Sequence, residues 1–211
     1  MFANRIDAGE KLGAALIQFQ GLKNGVVLGL ARGGVVVAFE VAKALGLPLN
    51  AIVPRKIGAP GSPELAIGAI LEGGNGYFND SLIEALGVEK EYLEKEIEKE
   101  TATAKERLAR YRQHAPMPVV KNKTVILVDD GIATGATMFA SIAAMRKEGA
   151  KKIVVAVPVA SRESLEEVEK LADETICLDP RDDLFSISMF YRHFEQVEDE
   201  TVAELLQRAH R

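Results

Sequence analysis

One stretch constrains this chain more than any other: Val125-Ile126-Leu127-Val128-Asp129-Asp130-Gly131-Ile132-Ala133-Thr134-Gly135-Ala136-Thr137. The apolar, β-branched start reads as a strand buried on both faces, as in a parallel sheet. It runs directly into two carboxylates. A turn of small residues follows and opens a helix over Gly135 to Lys147, stopped by Gly149. Strand, short turn and helix in that order belong to an α/β fold.

The chemistry of the turn is equally restrictive. A helix start has unpaired N–H groups and the positive end of the peptide dipoles, so it holds a phosphate. Ala133, Gly135 and Ala136 let the backbone approach closely, and Thr134 and Thr137 add hydroxyl donors. No Gly-Lys-Thr or Gly-Lys-Ser follows, so this is not a Walker A loop, nor is it a Gly-x-Gly-x-x-Gly turn. Adjacent acids at the carboxyl end of a strand suit vicinal sugar hydroxyls and a hard divalent cation. Phosphate on one side and a polyol on the other describe a ribose 5-phosphate, bound where open α/β sheets bind ligands.

The rest of the chain supplies the sheet. Gly9 to Gln20 reads as a helix, Val26 to Leu30 as a strand, Val35 to Leu45 as a helix and Leu49 to Val53 as a strand. A right-handed crossover makes those two strands parallel. Pro54 to Pro63 reads as an irregular Gly/Pro-rich loop, and Leu65 to Glu72 as a returning strand closed by Gly73-Gly74-Asn75-Gly76. Glu84 to Arg112 is a charged helix, with Glu89 to Glu98 early and Lys105 to Arg110 late, as the helix dipole prefers. Tyr92, Leu93, Ile97 and Leu108 form its apolar stripe, and Ala115 to Pro118 ends it. Thr124 to Val128, Lys152 to Pro158 and Thr175 to Leu178 complete the strands; Arg162 to Leu171 and Thr201 to Arg211 are helical.

Four apolar residues, two acids, a spacer and Thr-Gly-Ala-Thr resemble the phosphoribosyl pyrophosphate (PRPP) signature of type I phosphoribosyltransferases. The resemblance covers about Gly25 to Leu178. It implies an open parallel α/β sheet flanked by helices, in one domain spanning residues 1–211. A helical insertion at about 80–115 and a C-terminal hood at about 179–198 would complete it. By resemblance, Asp129 and Asp130 hold the ribose hydroxyls and Mg²⁺, while Ala133, Thr134, Gly135, Ala136 and Thr137 cradle the 5′-phosphate. Ala133 stands where some members carry a purine-directed aspartate, which turns the reading away from hypoxanthine and guanine. Arg32-Gly33-Gly34 resembles the pyrophosphate loop, and Arg55-Lys56 sits where the family has a mobile cationic loop. Asp129, Asp130, Arg32 and Lys56 are the expected catalytic set. Glu64 is a further loop acid. Phe185 is the first candidate to stack on a base, with Phe190 and Tyr191 after it; Asp182 and Asp183 read as a solvated turn. His114 and His193 lack the partners of a catalytic triad.

The implied reaction is PRPP-dependent transfer of ribose 5-phosphate to a nitrogenous base, as in purine or pyrimidine salvage. A PRPP- or nucleotide-binding regulator is the alternative, since one fold hosts unrelated functions. A diphosphokinase of related fold lacks an evident ATP site here. The 211 residues, 47% hydrophobic, suffice for one α/β domain. A formal net charge of −5 argues against nucleic-acid binding, which needs a basic surface. No apolar run spans a bilayer and the N-terminus lacks a signal peptide, so a cytoplasmic protein, dimeric as members of this fold often are, is expected. The single Cys177 excludes an internal disulfide and reads as a packed thiol.

Overall fold

The computed structural model describes residues 1–74, 76–113 and 119–210, except the side chains of Glu64 and Arg112. Along the chain it runs α1 (Arg5–Ala15), β1 (Gly25–Leu30), α2 (Gly33–Leu45), β2 (Leu49–Ile52), β3 (Arg55–Ala59), β4 (Ser62–Ile70) and β5 (Gly76–Phe78). Then come α3 (Asp80–Ala85), α4 (Lys90–Arg112), β6 (Thr124–Val128), α5 (Ala136–Lys147), β7 (Lys152–Ser161), α6 (Arg162–Leu171), β8 (Glu174–Arg181) and α7 (Asp199–Ala209).

β1, β2, β6, β7 and β8 form a parallel sheet in the order β2-β1-β6-β7-β8. Its central strands are continuous apolar runs because helices cover both faces. Leu12, Val35, Val41, Leu108 and Val202 of α1, α2, α4 and α7, with Leu16 just after α1, pack one face. Met138, Phe139, Ile142 and Ala69 of α5 and β4 pack the other. Each fully buried Val, Leu or Ile contributes roughly 1.5–3 kcal/mol. The strand order reverses between β1 and β6, so the turns leaving these two neighbours separate and open a crevice at their carboxyl ends.

Within Pro54 to Pro63, expected to be an irregular loop, Arg55–Ala59 forms β3, which pairs with the expected returning strand, β4, in an antiparallel sheet β3-β4-β5. Its glycines and prolines serve a tight turn, at Gly61 (φ +73°), and register shifts around Gly58. A Cβ on Gly58 would meet the Pro63 carbonyl at 2.6 Å, so the bulge admits only glycine. The long charged helix is broken at Gly87 (φ +59°) into α3 and α4, and Asn79 caps α3 by accepting from Leu82 N at 3.0 Å. Tyr92, Leu93 and Ile97 pack on Ile57, Ile67 and Ile70 of the hairpin sheet, as their spacing predicts. α1 begins four residues earlier than its periodicity suggests, because Asn4 caps it through Asp7 N at 3.0 Å.

After β8 the chain folds back over the sheet edge through a 3₁₀ turn at Ile187–Phe190. The N-terminus docks there: Phe2 N donates to Phe190 O at 2.8 Å and Arg192 N to Phe2 O at 2.9 Å. Among the described residues no helix is long and apolar enough to cross a membrane. The Ala115 to Pro118 stop and the Asn75 turn lie outside the described residues.

Candidate functional site

Two turns meet in the crevice. β1 pairs with β6 so that Gly29 lies beside Val128; past this point the chains become Arg32-Gly33-Gly34 and Asp129-Asp130. The contact is close. A Cβ on Gly34 would lie 2.8 Å from Asp129 Oδ1, and one on Gly33 only 2.0 Å from Asp130 Oδ2. Asp129 Oδ1 accepts from Asp130 N at 2.8 Å, and Asp130 Oδ2 accepts from Arg5 Nε at 2.7 Å. The Asp130 carbonyl accepts from the Tyr191 hydroxyl at 2.6 Å. Burial, followed by the Asp130 charge, pushes the Asp129 carboxyl well above the usual carboxylate range. Burial and both nearby carboxylates push the Tyr191 phenol up as well, so it stays a donor.

The second half of the site is the turn into α5. β7 fixes it from beside: Ile132 N donates to Val159 O and Ser161 N to Ile132 O, each at 2.9 Å. The Ser161 and Ser164 hydroxyls donate to the Ala133 carbonyl at 2.8 and 2.7 Å. Gly135 precedes the helix at φ +77°, where a Cβ would lie 2.4 Å from the Phe139 ring. This is a position for glycine alone. Among the described residues no side chain caps α5, which leaves the amides of its first turn without a side-chain acceptor there. Ala133 and Thr134 are exposed, and Thr137 is half-buried. A cavity of about 150 Å³ adjoins the turn, lined by Gly68, Tyr77, Asn79, Thr134, Ala136 and Phe139 among others.

Residues 3–192 match the family model of the phosphoribosyl transferase domain. The chain belongs to this family. The phosphoribosyl transferase fold is shared with the crystal structure of a Thermus thermophilus protein, 42% identical, with a TM-score of 0.83 and 98% of each chain covered. A purine phosphoribosyltransferase of Pyrococcus horikoshii has the same fold at 19% identity, with a TM-score of 0.51 over 92% of this chain and 93% of that one. Two Mycobacterium tuberculosis proteins provisionally named phosphoribosyl transferases are 40% identical over all 211 residues. The chain spans 47% of their length.

The other expected residues are dispersed. Arg32 stands at the mouth of the crevice, 3.3 Å from Glu198. Lys56 is exposed, in register with Ala69 and Tyr77 on the face that packs on α5. Arg55 alternates to the opposite face of β3, where Glu100 of α4 binds it at 2.6 Å, so the structure does not bring the two cations together. Phe185 stands out from the hood, 87% exposed. Phe190 is half-buried, with the Arg181 guanidinium 5.0 Å from its ring. The expectation that Tyr191 stacks on a base is corrected: its ring is 5% exposed and packs between Phe2 and Phe194. Asp182 is a surface residue paired with Arg162, and His193 is exposed. The Glu64 side chain and His114 lie outside the described residues.

The residues missed from the sequence are Arg5, Ser161, Ser164 and Ile187. A Cβ on Gly131 would strike Ile187 at 2.6 Å, so this hood residue lies directly on the acid turn. Ser161 was legible as a helix cap before Arg162, since it also accepts from Ser164 N at 3.2 Å. Arg5 had no local signal. Among the described residues no group of three or more His, Cys, Asp or Glu could hold a metal alone. Two carboxylates nevertheless fit Mg²⁺, which binds through one or two acids and completes its shell with substrate oxygens and water.

Proposed function

We propose that this chain transfers the 5-phosphoribosyl group of PRPP to a nitrogenous base, with Mg²⁺, releasing pyrophosphate. One observation carries the reading: two enclosed acids and a helix start without a side-chain cap stand side by side at the β1/β6 crevice. In this reading Asp129 and Asp130 take the ribose hydroxyls, and the Ala133 to Thr137 turn takes the 5′-phosphate. The C1–O bond breaks with its electron pair leaving on pyrophosphate. A base nitrogen forms the new C1–N bond and loses its proton.

The transition state carries positive charge on the sugar and negative charge on the leaving group. Asp129 and Asp130 face the first charge. Arg32 and Lys56 face the second, and removing one such fixed donor costs about 10²–10³ in rate. Mg²⁺ held by PRPP oxygens with Asp129 and Asp130 would supply Lewis acidity to the pyrophosphate. Gly33 and Gly34 keep the pyrophosphate loop against the acids, and Arg55 anchors the hairpin that carries Lys56. Phe185, Phe190 and the hood lie on the base side. The protein acts on small molecules, as a homodimer in the cytoplasm, apart from nucleic acid and membrane.

The test is pyrophosphate release from PRPP and Mg²⁺ across purines, pyrimidines and nicotinate-type acids, for wild type and Asp129→Asn/Asp130→Asn. Turnover with one base class and its loss in the double variant are expected. Undiminished turnover in that variant overturns the assigned roles. A regulatory reading is favoured by one observation: Arg55, counted among the pyrophosphate cations, is already bound by Glu100. Tight PRPP binding with no turnover for any base would establish a sensor instead.

A further inference from the structure

Arg5 opens α1, 125 residues from Asp130 in the chain, yet its guanidinium lies on the acid pair. Nε donates to Asp130 Oδ2 at 2.7 Å, and Nη1 donates to the Glu195 carbonyl at 2.8 Å. The guanidinium carbon lies 3.7 Å from the centroid of the Phe194 ring. The side chain is 11% exposed and that of Asp130 16%, so water competes little for either. The same ion pair rests on the pyrophosphate loop: a Cβ on Gly33 would stand 2.8 Å from Arg5 Nε as well as 2.0 Å from Asp130 Oδ2.

The opposite end of Asp130 is also held. Tyr191 donates to its carbonyl, Phe2 packs on Tyr191, and the Phe2 backbone is paired with Phe190 and Arg192. Ala3 N donates to Asp7 Oδ2 at 2.9 Å and Asn4 caps α1, which fixes the start of the helix that carries Arg5. The N-terminal segment, the hood and the acid turn therefore close a circuit around one aspartate. A carboxylate offers about four acceptor positions, and the bond from Arg5 takes one of them.

We propose that Arg5 is a positioning residue: it holds Asp130 by one oxygen so that the carboxylate meets a sugar hydroxyl already oriented. The gain is preorganisation, because a side chain fixed beforehand loses little freedom when the ligand arrives. Arg5 acts through Asp130 and touches no reacting atom. The inference rests on reading the crevice as a ribose 5-phosphate site, and its test separates the two.

Calorimetric titrations of the full chain use two probes, ribose 5-phosphate and inorganic phosphate. The proteins are wild type, Arg5→Gln, Arg5→Lys, Asp130→Asn and the double variant Arg5→Gln/Asp130→Asn. Arg5→Gln is expected to weaken ribose 5-phosphate about tenfold and phosphate less than about twofold, since only the hydroxyl contacts depend on Asp130. Arg5→Lys recovers part of the loss, and the double variant binds no worse than Asp130→Asn. Phosphate binding also reports that each variant has folded. An equal loss for both probes reduces Arg5 to a structural clasp. Unchanged or tighter ribose 5-phosphate binding in Arg5→Gln overturns the proposal outright. A wild type that binds phosphate as well as ribose 5-phosphate removes the sugar site itself, and the role of Arg5 with it.

Discussion

Gly33→Ala sets two opposed effects against each other, and the distances decide between them. Gly33 is the first residue of α2, where alanine is the better helix former by up to about 1 kcal/mol and also restricts the unfolded chain. Against this, the new methyl would lie 2.0 Å from Asp130 Oδ2, 2.9 Å from Asp130 Cγ and 2.8 Å from Arg5 Nε. Ordinary contact requires the carboxylate to retreat by more than about 1 Å. That movement breaks the 2.7 Å bond from Arg5, a charged hydrogen bond of about 1.5–3 kcal/mol, in a place largely closed to water. Overpacking alone costs about 1–3 kcal/mol. The net expectation is a loss of at least about 1.5 kcal/mol, at about 2–4 °C of melting temperature for each kcal/mol in a chain of this size.

The assay pairs scanning calorimetry with ribose 5-phosphate titration. This ligand has no pyrophosphate, so its loss cannot be assigned to a methyl blocking the pyrophosphate loop. Binding is expected to weaken at least tenfold, because the displaced carboxylate no longer faces the sugar. In an Arg5→Gln background the stability cost shrinks, since the carboxylate is then free to swing away. A Gly33→Ala protein that melts at or above wild type and binds ribose 5-phosphate equally well would refute the reasoning.

Asp129→Asn is expected to stabilise the protein while weakening ribose 5-phosphate binding. Asp129 titrates above its unfolded value of 3.8 in the fold, so its contribution is fully present below that value and is lost as pH rises through the folded one. Unfolding midpoints of both proteins across acid and neutral pH should diverge at neutrality and converge in acid; parallel curves would refute this. Gly135→Ala meets both φ +77° and the Phe139 ring at 2.4 Å, and should cost about 1–3 kcal/mol together with inorganic phosphate binding by calorimetry. Glu100→Gln removes the partner of Arg55 and should cost about 1 kcal/mol. Faster amide exchange confined to β3 and β4, with phosphate affinity at α5 retained, is the expected signature.

The parallel sheet was legible because its strands are uninterrupted apolar runs. Thr124–Val128 and Arg162–Leu171 occupy the residues their patterns indicate. The phosphate turn and acid pair were legible because they are contiguous in sequence and chemically distinctive. Of the hairpin sheet, β4 was legible as the strand returning from Leu65, but β3 was not, because Gly58, Pro60, Gly61 and Pro63 punctuate that segment, and the same residues mark loops and bulged hairpins alike. Arg55 and Lys56 are adjacent in sequence and therefore point to opposite faces once the segment becomes a strand; reading it as a loop concealed this. The burial of Tyr191 has no local signal, because an aromatic near a sheet edge gives no hint of its cover, here Phe2 from the far end of the chain. Arg5 was invisible for the same reason: its partner is set by the tertiary fold alone.

The glycine pair deserves a different explanation from the one its position in a phosphate loop suggests. β1 and β6 are in parallel register from Gly25 beside Thr124 to Gly29 beside Val128, so the turn after one must pass the turn after the other. Whatever follows β1 therefore packs on Asp129 and Asp130. Side chains at positions 33 and 34 would occupy the carboxylates' own volume, as the 2.0 and 2.8 Å approaches show. Two glycines there are a requirement of housing two acids at the switch of strand order, independent of any contact with pyrophosphate. The acid pair, the glycine pair and Arg5 thus form one packed unit drawn from three parts of the chain. A substitution in any of the three should register first as a change in how Asp130 meets the sugar.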